Sequence, residues 1–115
     1  MGVLLIVVAG AAGVLARYGV GLLSPSIWAT MGINIAGSFL LGFLVHAGRD
    51  LSPEVRNALG VGFLGGFTTY STFSVQTVLE ADGGRPDIAA VYVVLSVVLG
   101  IAAGAAGYAS GRLAT

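Results

Sequence analysis

The run Gly60-Val61-Gly62-Phe63-Leu64-Gly65-Gly66-Phe67-Thr68-Thr69-Tyr70-Ser71-Thr72-Phe73-Ser74 decides how the rest of the chain is read. It lies inside an uncharged segment from Asn57 to Leu79 that is long enough to cross a bilayer. The Gly65-Gly66 pair weakens a helix, and the Ser and Thr hydroxyls crowded into Thr68, Thr69, Ser71 and Thr72 offer the backbone competing hydrogen bonds. Hydrocarbon tolerates broken backbone only where protein or a polar cavity satisfies the freed groups. The segment therefore reads as an interrupted membrane helix, an arrangement that builds ion and substrate sites. Small and hydroxyl residues also serve simple helix packing. Packing alone accounts poorly for a glycine pair, dense hydroxyls and the aromatics Tyr70 and Phe73 in one place.

Composition agrees with a membrane setting. The 115 residues are 57% hydrophobic and 9% charged, where a soluble domain carries about 25% charged residues; mean hydropathy is +0.98. Five arginines (Arg17, Arg49, Arg56, Arg85, Arg112) balance five carboxylates (Asp50, Glu54, Glu80, Asp82, Asp87), so the net charge is zero and no nucleic-acid partner is expected. With no cysteine, disulfides, thiol catalysis and thiolate metal sites are excluded; with His46 alone, so is a histidine cluster within one chain. The chain is not expected to be an enzyme. Its start, Met1-Gly2-Val3-Leu4-Leu5, lacks the basic beginning of a secretory signal, and the first apolar stretch is expected to be retained.

A spanning helix takes about 20 apolar residues, which gives a single domain over 1–115 with four spans at roughly 3–23, 27–47, 53–80 and 87–112. The fold class is all-α, multi-pass in the cell membrane, with lipid as a partner and the third helix broken. Arg17 lies in the last third of the first span; it either snorkels to the interface beside Tyr18 or forms an electropositive vestibule that gathers anions. Ser24-Pro25-Ser26 ends that helix. In the second span Thr30, Asn34 and Ser38 recur every four residues on one face. The Asn34 amide has two readings: a clamp between helices, or a donor of two hydrogen bonds to a bare anion. Ser52, Pro53 and Glu54 form a helix start, with Ser52 as N-cap. The fourth span places Tyr92, Ser96, Gly100 and Gly104 four apart, so that Tyr92 and Ser96 form a polar track beside Asn34.

Four spans put both termini and the 49–56 loop on one side, with Arg49, Arg56 and Arg112; the other side holds Arg85 and the deep Arg17. Arginine bias sets orientation, and here it is nearly absent. Insertion in both directions, and an antiparallel homodimer, follow as an expectation.

The segments Gly10-Ala11-Ala12-Gly13-Val14-Leu15-Ala16-Arg17-Tyr18, Asn34-Ile35-Ala36-Gly37-Ser38-Phe39 and Gly62-Phe63-Leu64-Gly65-Gly66-Phe67-Thr68-Thr69-Tyr70-Ser71-Thr72-Phe73 resemble those of the Fluc/CrcB fluoride channels, in the same order and over essentially the whole chain. The resemblance implies a dual-topology antiparallel homodimer with two fluoride pores and passive fluoride efflux that relieves toxicity. It implies a structural sodium ion at the dimer centre, held by the backbone carbonyls of Gly65 and Thr68. The pore aromatics fall at Tyr70 and Phe73, the pore amide at Asn34, further hydroxyls at Ser71, Thr72 and Thr30, the polar track at Tyr92 and Ser96, and the vestibule arginine at Arg17. Two positions depart from the family pattern: Tyr70 stands where phenylalanine is usual, and Gly100 where a hydroxyl residue is.

The physical chemistry is consistent with that resemblance. Fluoride is small and strongly hydrated, so a pore must replace water with N–H and O–H donors, and aromatic edges line an anion's path without trapping it. Conduction requires weak, multiple sites. The main rival is a small multidrug-exporter-like four-helix transporter, which wants a carboxylate embedded in the membrane; all five carboxylates here sit at loops or span ends. A second rival, a non-transporting assembly subunit, leaves Asn34 and the hydroxyl cluster without a purpose.

Overall fold

The computed structural model describes residues 1–115 and is helical throughout, with no strand. The elements are α1 (Gly2–Leu23), α2 (Ile27–Ala47), α3 (Pro53–Asn57), a π-helical segment (Ala58–Leu64), α4 (Gly65–Phe67), α5 (Tyr70–Asp82) and α6 (Pro86–Ala114). Three of them, α1, α2 and α6, are long and apolar enough to cross a membrane. The 22 residues of α1 rise about 33 Å at 1.5 Å per residue, close to the thickness of a hydrocarbon core.

Local chemistry sets the ends. Ser26 caps α2, its hydroxyl accepting from Ala29 N–H at 3.3 Å. Ser52 caps α3 in the same way through Val55 N–H, with Pro53 at the first helical position, where its missing donor costs nothing. Gly84, at φ +82°, is the one residue with positive φ and turns the chain between α5 and α6.

Two backbone-close pairs organise the molecule. The first joins α1 to the helical path through 53–67, and the two run in the same direction: Ile6 faces Gly62, and Gly10 faces Gly66. A Cβ on Gly66 would lie 2.5 Å from the Gly10 carbonyl oxygen, so only hydrogen fits there. The second joins α2 and α6, also side by side in one direction, with Gly107 against the Phe39 carbonyl and Gly111 against that of Phe43. Close approach through glycine is how helices gain van der Waals contact when lipid removes the hydrophobic drive between them. Outside these seams the surface is greasy: Val3, Leu4, Val7, Val8, Leu15, Val94, Val98 and Ile101 are all exposed, which suits lipid or a second protein chain rather than water.

The structure moves the interruption away from the glycines. Gly65 and Gly66 are helical, Gly65 at φ −62° and ψ −39°. The helix stops instead at Thr68 (φ −87°, ψ 158°) and Thr69 (φ −150°, ψ 125°), two extended residues after which α5 begins. The physical reason is that Gly66 is used for packing against α1, while the threonines carry the side chains that satisfy a break. The helix is also widened upstream, at the π-helical segment, a feature without a signature in the sequence.

Candidate functional site

The break is held by side chains from two other helices and by its own threonines. Asn34, on α2, clasps the backbone of Thr69: its Oδ1 accepts from Thr69 N–H at 2.8 Å, and its Nδ2 donates to Thr69 O at 2.9 Å. Arg17, on α1, donates from Nε to Gly66 O at 3.2 Å, where a cation suits the negative end of the helix. Thr68 folds back, its hydroxyl donating to Leu64 O at 2.9 Å. Thr69 caps α5, its Oγ1 accepting from Thr72 N–H at 3.2 Å and standing 3.1 Å from the Thr72 hydroxyl. Ser71 stands on the exposed side of this turn, 3.5 Å from Thr69 Oγ1.

These diversions leave groups free. Thr69 N–H is taken by Asn34, so Gly65 O lacks the donor four residues ahead; Thr72 N–H is taken by Thr69 Oγ1, so Thr68 O lacks its own. Tyr70 and Ser71 N–H in turn find no backbone acceptor. The break therefore presents bare carbonyls at the end of α4 and bare N–H groups at the start of α5, beside the second Nδ2 hydrogen of Asn34.

Three cavities adjoin in a row. A vestibule of about 900 Å³ opens at the end carrying the α1–α2 and α5–α6 turns and is lined by Arg17, Thr30, Thr69, Thr72, Gln76, Glu80 and Arg85 among others. Thr69 also lines the next, a cleft of about 360 Å³ bounded by Asn34, Gly65, Thr68, Tyr70, Phe73 and Ser96. That cleft shares Ser38, Ser96 and Gly100 with a groove of about 510 Å³ running between α2 and α6 to Gly104. No charged residue lines the second or third cavity. The residues singled out in the sequence are thus divided: Thr30, Thr72 and Arg17 in the vestibule, and Asn34, Tyr70, Phe73 and Ser96 in the cleft.

Tyr92 lines neither. It is fully buried between them, its ring 5.2 Å from Phe73 and 6.0 Å from Trp28, and its hydroxyl donates to Gln76 Oε1 at 2.7 Å. Ser96 Oγ is buried without a hydrogen-bond partner. Tyr70 is 80% exposed, and the aromatic ring it pairs with is that of Phe73, at 6.0 Å. Of the two readings of Asn34, the clamp is realised, and it uses one of the two amide hydrogens. Gln76 is the residue the sequence reading missed, and Thr69, read there only as one of the hydroxyls of the break, is the residue that Asn34 clasps. Thr72, Gln76 and Glu80 recur every four residues along α5, a polar stripe whose period was the available signal.

Comparison with known proteins agrees with the geometry. Residues 4–108 match the model of the family described as CrcB-like protein, Camphor Resistance (CrcB). The chain is 43% identical over 117 residues to the fluoride-specific ion channel FluC of Agrobacterium fabrum, covering 94% of each chain. It is 43% identical over 108 residues to that of Erythrobacter litoralis (82% of this chain, 79% of the relative) and 41% identical over 121 residues to that of Rhodospirillum centenum (97% and 96%). A match over nearly the full length, with helix break, clasp and aromatic pair on the matched residues, places the chain in the CrcB family.

Proposed function

We propose that the chain is the subunit of a fluoride-selective channel in the cell membrane, carrying fluoride passively out of the cell. The observation that carries this reading is the row of three cavities, charged at its mouth and neutral beyond it, with N–H and O–H donors and aromatic edges as its polar lining. The Asn34 amide, the free N–H groups of Tyr70 and Ser71 and the unpartnered Ser96 hydroxyl replace the hydration shell of a small anion stepwise. The start of α5 adds the positive end of its dipole, as half-helices do at anionic substrates in other membrane proteins. Phe73 presents its ring at the cleft without offering a charge, so no step is a deep trap. Thr30 and Thr72 supply hydroxyls on approach from the vestibule, and Arg17 supplies the charge.

The path from Pro53 to Asp82 is a fourth span in this reading, crossing as two half-helices joined by Thr68 and Thr69. The functional unit is an antiparallel homodimer of oppositely inserted chains. Support comes from the near absence of arginine bias and from the bare Tyr70 ring, which a second chain would cover. A tag at one terminus, labelled in membranes, should be reached from both sides equally; a single orientation sinks the dimer as drawn. The bare carbonyls of Gly65 and Thr68 form a donor set of neutral hard oxygens, which fits a sodium ion. Bound there, sodium would supply the positive charge that compensates carbonyls stripped of their helical donors.

The exporter alternative needs an exchanging carboxylate deep in the path. Glu80 is the only carboxylate that lines any of the three cavities, and it sits at the mouth in an ion pair. Purified protein in vesicles should release fluoride on addition of a potassium ionophore, with no proton gradient and with chloride retained. Release that requires a proton gradient, or that passes chloride equally, would falsify the channel reading.

A further inference from the structure

The vestibule carries an ion pair whose purpose the pore reading leaves open. Glu80 closes the polar stripe of α5, and its Oε2 receives the Arg85 Nε–H in the only ion pair of the chain; Arg85 NH1 also donates to Gly83 O at 3.2 Å. The Glu80 side chain is 20% exposed and the Arg85 side chain 50% exposed, so the carboxylate lies deeper than its partner. Both line the same cavity as Arg17, which faces no carboxylate. The mouth therefore holds two guanidinium groups and one carboxylate. Its net charge of one positive is half of what the arginines alone would supply.

We propose that Glu80 sets the rate of anion entry: by holding Arg85 in an ion pair, it fixes the charge with which the vestibule collects anions. The inference rests on the conduction reading above. An exposed ion pair contributes little to stability, so a stabilising role is a weak reason for a carboxylate on the wall of an anion path. Its field acts on every ion in the mouth. A unit charge about 8 Å from an anion, in a medium of effective dielectric roughly 40 to 80, changes the local anion concentration by about two- to sixfold. A mouth less positive than its arginines permit fills less readily at low fluoride, so the charge of Glu80 acts on the fluoride concentration that half-saturates the path.

Fluoride release from vesicles of uncharged lipid tests this on the whole protein, comparing wild type, Glu80→Gln, Glu80→Asp and Arg85→Gln. At low ionic strength and sub-saturating fluoride, Glu80→Gln should raise the initial rate about two- to sixfold, and Arg85→Gln should lower it by a similar factor. Glu80→Asp should resemble wild type. At about 1 M of an impermeant salt, where the Debye length is about 3 Å, the differences should collapse. At saturating fluoride the maximal rate should be unchanged, so the effect appears in the half-saturating concentration alone. A purely structural role for Glu80 would lower the maximal rate and ignore salt. Glu80→Gln that matches wild type at low salt overturns the inference, as does a gain that survives high salt. Should Glu80→Gln not elute as a folded species, Arg85→Gln decides, and an unchanged rate there overturns it equally. Wild-type vesicles that release no fluoride overturn the channel reading itself and this inference with it.

Discussion

Replacing Asn34 by aspartate separates the two tasks given to that side chain. The carboxylate is nearly isosteric, and one oxygen still accepts from Thr69 N–H, the 2.8 Å half of the clasp. The other half, donation to Thr69 O at 2.9 Å, is lost. Polar contacts between membrane helices are worth about 0.6 kcal/mol on average and up to about 1.7 kcal/mol, so the folded protein should lose roughly 1 to 2 kcal/mol and survive. Conduction should suffer far more. A unit negative charge 4 Å from the passing anion costs about 4 kcal/mol at an effective dielectric of about 20, a slowing of roughly 1,000-fold at 1.4 kcal/mol per decade. Elution and thermal inactivation in detergent measure the first quantity, and fluoride-electrode traces from vesicles measure the second. A stable Asn34→Asp protein that releases fluoride at the wild-type rate would show that the amide only clamps the break and does not meet the ion.

Three further outcomes follow from other parts of the structure. Phe73→Ile keeps apolar bulk but removes the ring edge at the cleft, so a folded protein with greatly reduced fluoride release is expected, while Tyr70→Phe keeps both ring and flux; full flux in a stable Phe73→Ile protein takes the ring out of the path. Gly107→Ala drives a methyl group into the Phe39 carbonyl and should destabilise the α2–α6 seam by about 1 to 3 kcal/mol, read as a lowered inactivation temperature; an unchanged one means that the helices separate freely there. Replacing sodium by a large organic cation throughout purification should lower stability and flux together through loss of a ligand at Gly65 and Thr68, and protein indifferent to sodium has no structural site there.

What could be read in the chain and what could not differ by the range of the interaction. A helix over 27–47 follows from a mostly apolar run without Asp, Glu, Lys or Arg after Ser24-Pro25-Ser26, and the start at Ser52-Pro53-Glu54 follows from capping chemistry confined to four residues. The break was legible as a region. Its exact residues were not, because whether Gly65-Gly66 bends or packs depends on Gly10 of another helix, more than fifty positions earlier. The same holds for Asn34: four-residue spacing puts it on a polar face, but only the fold brings it to Thr69, 35 residues away. Gln76 was passed over because its meaning comes from the Tyr92 hydroxyl on α6. The π-helical segment has no local signature at all.

The origin of each group that holds the break has a consequence for synthesis. Arg17 and Asn34 both precede Thr68 in the chain, and the remaining contacts are local to Leu64, Thr68, Thr69 and Thr72. A ribosome therefore delivers α1 and α2 to the bilayer before the two extended residues emerge. When an N–H that hydrocarbon would penalise by several kcal/mol arrives, its acceptor is already inserted and waiting. Nothing made after Thr72, α6 included, forms a hydrogen bond to Thr68 or Thr69. A nascent chain stalled after Asp82 already contains every partner the break requires, whereas a gene rearranged to translate 53–115 first would present the open backbone to lipid with no partner yet made.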